Sequence, residues 1–92
     1  MAQNTVSAAS VNTATSSDIT VAAGAKVTVG IFAASGSLHE RSFARVYQDT
    51  PGGDNKIGEL TNSSPTFVLD KPGTFRVIKD GAGSSYGVFT ET

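Results

Sequence analysis

Cysteine is absent, so neither a disulfide nor a thiolate metal site can form. Tryptophan is absent too, and aromatic residues make up only 8% of the chain. Charged residues are scarce, at 16% against the usual quarter. The formal net charge is −1, which leaves no basic footprint of the kind that attracts nucleic acid or an anionic membrane surface. Neither is expected as a partner. No apolar run approaches the ~20 residues of a membrane span. No segment sustains a 3.6-residue apolar period, which argues against regular helices. The opening MAQNTVSAAS has no positive n-region and no continuous apolar h-region. Synthesis and folding in a cytoplasm is the expectation, with export by another route left open.

What is present is a chain of 92 residues, one domain's worth, in which Ser and Thr fill about a quarter of the positions. Residues 1–17, MAQNTVSAASVNTATSS, hold two isolated valines and little else that is apolar. They read as an N-terminal arm. Either it is disordered, or it orders against a partner with Val6 and Val11 as anchors, adding to a sheet edge. The folded domain is expected over 18–92.

From Asp18 the pattern alternates. In KVTVGIFAA, Val27, Val29, Ile31 and Ala33 share one face, while Lys26, Thr28, Gly30 and Phe32 share the other. DITVA, SFARVYQD, KIGELT, TFVLD, GTFRVIK and YGVFTET are further short strands. KIGELT carries an expected bulge at Gly58, because Ile57 and Leu60 fall out of phase. DTPGGDN and LDKPGT are turns. In the second, Pro72 suits the second position of a type II turn and Gly73 the positive φ of its third.

The spacing implies an all-β fold: a small antiparallel β-sandwich or partly open barrel of about seven strands, with an extended N-terminal arm. The expected core is Ile19, Val21, Val27, Val29, Ile31, Val46, Ile57, Leu60, Phe67, Leu69, Phe75, Val77 and Val88. Such a core, without staples, supplies about 3–5 kcal/mol. Assembly into a homo-oligomer, or docking on a larger partner, would relieve the deficit.

Catalytic chemistry is hard to find. His39, the single histidine, lies in SLHER with no convergent partner by spacing, and reads better as a contact residue with Leu38 and Arg41. Asp49, Asp54 and Asn55 offer oxygen ligands for calcium, but a hairpin turn explains them and the EF-hand spacing is missing. DGAGSSYG lacks the Lys-Ser/Thr of a P-loop. No serine sits in a nucleophile elbow. The expectation is a protein that is not an enzyme, with no cofactor, no metal and no small-molecule substrate. Phe32, Tyr47, Ile78 and Phe89 lie opposite the assigned core face. They mark either bulges that switch faces or an apolar contact patch.

LDKPGTFRV resembles the corner before the sixth strand of immunoglobulin-like sandwiches, D-x-x-G-x-Y. Phe75 stands where those folds often carry Tyr, so the corner hydroxyl bond cannot form there. Pro65–Thr92, with PGTFRVIKD, a Gly-Ser loop and YGVFTET, is similar to the C-terminal half of small bacteriophage virion proteins of the capsid decoration, cement or head-stabilising type. That resemblance implies an immunoglobulin-like β-sandwich made in a host cytoplasm and carried on a virion. Its partner would be a major capsid protein or another virion protein, bound on the capsid's outer surface. Val6, Val11, Phe32, Leu38, His39 and Arg41 are the candidate contact residues. The alternative is a receptor- or carbohydrate-binding module of a tail fibre or cell surface, which would need an aromatic platform.

Overall fold

The computed structural model describes residues 3–38, 42–81 and 85–92. The turn at Pro51-Gly52 is the point about which the chain doubles back. It closes a hairpin of β5 (Phe43–Thr50) and β6 (Gly53–Thr61). Pairing is nested outward from there. β4 (Val27–Ala33) pairs with β7 (Thr66–Leu69), and β3 (Ile19–Val21) and β2 (Ala14–Thr15) pair with β8 (Gly73–Lys79). β1 (Gln3–Ser10) pairs with β9 (Tyr86–Glu91).

This ribbon of strand pairs is rolled into two layers. β4 joins β9, giving a first sheet in the order β1-β9-β4-β7. β5 joins β8, giving a second sheet in the order β2-β8-β5-β6, with β3 also on β8. Every pairing is antiparallel. With β2 and β3 counted as one interrupted strand, this is the eight-strand wrap of a jelly roll.

The expected all-β sandwich is present. An immunoglobulin order would set the last two strands side by side in one sheet. Here β8 and β9 lie in opposite sheets. The Lys71-Pro72-Gly73 reversal is accordingly a crossing between sheets. Gly73 does have a positive φ, +149°, but this is far from the about +80° of a type II turn. It already serves as the first residue of β8, opposite Val21.

The inner faces alternate as the sequence implies. Val27, Val29 and Ile31 from β4 meet Val46 from β5 and Phe75 and Val77 from β8, all buried. Two expected core residues sit differently. The ladder runs from Val46–Gly58 to Tyr47–Lys56 and skips Ile57. The bulged residue is therefore Ile57 rather than Gly58, and it is turned outward, 38% exposed. Gly58 faces inward beneath Phe67. A β-carbon there would lie 2.5 Å from the ring, which is half-buried. Ala44 and Tyr86 complete the core.

The arm is the larger correction. Gln3–Ser10 form the edge strand of the first sheet, so the boundary expected at Asp18 does not separate an arm from a domain. Apolar content was a poor guide here. Ladder hydrogen bonds to β9 satisfy the backbone, and that compensation does not depend on side-chain hydrophobicity.

Candidate functional site

Three features stand out against the plain sandwich. The first is a buried lysine. Lys79 ends β8 with its side chain fully inside. Its Nζ donates to Ser10 O (3.0 Å), Ser10 Oγ (2.9 Å) and Asn12 O (2.7 Å), and lies 4.7 Å from the Tyr86 ring centroid. The ammonium thus has an acceptor for each hydrogen at the corner where the chain passes from β1 to β2. Burial lowers its pKa from the ordinary lysine value. Tyr86 reaches across the sandwich from β9, its hydroxyl shared between Phe43 O (2.8 Å) and Asp80 O. It joins the two sheets by a hydroxyl bond of the sort that Phe75 cannot make. Burial raises its phenol pKa.

The second feature is the outer face of the first sheet. Gly30-Ile31-Phe32 in β4 and Gly87-Val88-Phe89 in β9 repeat one pattern, Gly-apolar-Phe. Their antiparallel register sets Gly30 opposite Phe89 and Phe32 opposite Gly87. Each ring covers the other strand's glycine. A β-carbon on Gly30 would lie 2.6 Å from the Phe89 ring, and one on Gly87 would lie 2.9 Å from the Phe32 ring. Aromatic cover of a cross-strand glycine packs the gap that glycine leaves in a sheet. The rings meet edge to face, with centroids 6.2 Å apart at 65°. Together with Gln3, Asn4 and Thr5 of β1 they line a shallow depression of about 440 Å³. Glu91 is the one charged residue in the four strands, and it accepts from Gln3 Nε2 at 3.2 Å.

The third feature is the mouth of the sandwich between the edge strands β6 and β7. A cleft of about 190 Å³ there is lined by Ile57, Phe67, Val68, Leu69 and Phe75 among others. Ile57 (38%) and Val68 (52%) are two of the large apolar side chains that are openly exposed.

The second sheet's outer face is ionic instead. Arg76 binds Asp54 (2.6 Å) and Asp18 (2.9 Å), with Asp49 at 3.7 Å. Its hydrogen bonds to Asp54 and then Asp18 raise its pKa. Arg45 pairs with Asp80 at 2.6 Å, and Lys56 with Glu59. Asp49 and Asp54, the carboxylates of the possible calcium loop, thus face a guanidinium. Among the described residues no three His, Asp or Glu side chains group as metal ligands.

The candidate contact residues do not converge. Phe32 is on the outer face of the first sheet. Val6, at a bulge in β1, and Leu38 are half-buried and pack on the core. Val11 stands at the β1–β2 corner, 49% exposed. His39 and Arg41 lie outside the described residues. Of the residues opposite the core face, Tyr47 and Ile78 are half-buried on the ionic face, and Phe89 joins Phe32.

No family model matches the chain, and no curated protein matches its sequence. Among solved structures it is similar to the crystal structure of the SPBc2 prophage-derived protein YomS. The TM-score is 0.65 at 16% identity, over 97% of this chain and 88% of that one. At that identity the likeness shows a shared fold.

Proposed function

We propose that the chain is a non-enzymatic structural protein of a bacteriophage virion, a decoration or cement subunit that docks in many copies on the outer surface of a capsid. The observation that carries this reading is the apolar mouth between β6 and β7. Two edge strands present unpaired backbone there, beside exposed Ile57 and Val68 and the Phe67-lined cleft. An extended segment of a capsid protein could add to either edge while seating a side chain in the cleft. Repetition over a lattice would make a modest contact sufficient.

The prophage origin of the structural neighbour favours the same reading, as does the jelly-roll wrap, which recurs in viral capsid domains. Both are fold-level analogies. For the absence of catalysis, the support is that the carboxylates of Asp18, Asp49, Asp54, Glu59 and Asp80 are held in ion pairs.

The test is cosedimentation with undecorated capsids of the phage whose genome encodes the protein. Saturable binding is expected, and it should be weakened by Val68→Asp, an exposed substitution. No binding at any protein concentration would defeat the proposal.

A further inference from the structure

We propose that the depression on the outer face of the first sheet is a binding site for a neutral oligosaccharide. A carbohydrate-binding module needs an aromatic platform, and composition alone, with no Trp and two Tyr, offers little prospect of one. The fold builds it from phenylalanine. The tip of each ring of the Phe32–Phe89 pair reaches the glycine of the facing strand, and both rings line the depression. The apolar C–H face of a pyranose would pack against that aromatic lining.

The rim supplies the matching polar groups. Gln3, Asn4 and Thr5 bring two carboxamides and a hydroxyl, which both donate and accept, as sugar hydroxyls do. Gln3 is oriented by its bond to Glu91, and among the described residues its carbonyl oxygen has no donor.

Charge and size narrow the occupant. No cationic side chain lies in these four strands, and Glu91 is their one charged residue. None of the described residues that line the depression is cationic, so a sialylated, uronic or phosphorylated glycan would meet the Glu91 carboxylate at its rim without a lining cation to pair it. The volume of about 440 Å³ falls within the about 300–1,000 Å³ of small-ligand sites. A second copy of the chain is a poor fit. A stable protein interface hides about 800 Å² per partner. Two half-buried rings, with about 150–250 Å² each even when fully exposed, fall far short of that. The site also lies apart from the β6–β7 mouth, so a subunit docked there would keep it open to the exterior. The inference does not depend on that docking. Failure of capsid binding would leave it standing, and its own failure would leave the capsid reading untouched.

The test is a ¹H–¹⁵N correlation titration with maltotriose, chitotriose and laminaritriose at millimolar concentration, and with sialyllactose as the anionic control. At least one neutral trisaccharide should shift amides within residues 3–5, 30–32 and 87–89. Phe32→Ala and Asn4→Ala should each weaken that binding about 2–10-fold, the range of one aromatic contact or one hydrogen bond. If Phe32→Ala does not fold, the exposed Asn4→Ala decides alone. Absence of shifts with all three neutral sugars, shifts confined to other strands, or equal binding of sialyllactose would each overturn the proposal.

Discussion

The two outer faces of this sandwich are built from different materials. The first sheet carries almost no charge and closes its surface with two phenylalanines laid over two glycines. The second is laced with ion pairs around Arg76, Arg45 and Lys56. Exposed ion pairs contribute little stability and are screened by salt. Packed rings over glycines are a geometric fit and tolerate little change. The contrast teaches where the molecule is rigidly specified. The first face is a shaped surface, whereas the second is a solvated one. The first sheet also depends on its N-terminal strand, which Lys79 fastens from the other layer.

The largest effect should follow from removing that strand. Deleting residues 1–12 strips β9 of one of its two neighbours and Lys79 of all three acceptors. Hydrogen bonds to a charged group are worth about 1.5–3 kcal/mol each. The thermal midpoint should fall by more than about 10 °C. An unchanged midpoint would mean that β1 is a passive arm and that the first sheet stands without it.

A smaller but sharper effect is expected at Gly87. A β-carbon there would come within 2.5 Å of Ser7 O and 2.9 Å of Ala9 N, which are backbone atoms that cannot swing aside. Gly87→Ala should cost about 1–3 kcal/mol, as overpacking does. Gly52→Ala, at the tip of the β5–β6 hairpin with nothing within 4 Å, should cost far less in the same urea titration. Equal costs would erase the difference between the faces.

The smallest effect belongs to the ionic face. Arg76→Gln removes three contacts to carboxylates, yet these groups are solvated. The urea midpoint should move less than for Gly87→Ala, and the gap from the parent should shrink at high salt. A loss exceeding that of Gly87→Ala, and insensitive to salt, would show that the second face is no less specified than the first.

Much of the fold is legible in the sequence. From Ile19 onward, β-branched and aromatic residues at alternate positions, punctuated by Pro and Gly, mark all seven remaining strands to within a few residues. Their pairing was not legible. Strands brought together by the roll of the ribbon, such as β4 and β9, are separated by more than fifty positions, and alternation says nothing about which strand lies beside which. β1 was missed because Ser, Ala and Thr show no two-residue apolar period. Lys79 was missed because lysine is almost never buried without a partner, and its partners here are main-chain oxygens of a distant corner. Ile57 followed its composition into the expected core, and the bulge turned it out. One signal went unread. Gly30-Ile31-Phe32 and Gly87-Val88-Phe89 are the same word in two strands, and that repetition announces an aromatic-over-glycine ladder before the strands are known to touch.

Cryo-electron microscopy of the intact particle bears most directly on the proposed function. The account predicts density for this sandwich on the outer capsid surface, with Ile57 and Val68 turned toward the lattice and Phe32 and Phe89 facing solvent. A particle that lacks the protein, or one in which the Phe32–Phe89 face is pressed against the capsid, would contradict it.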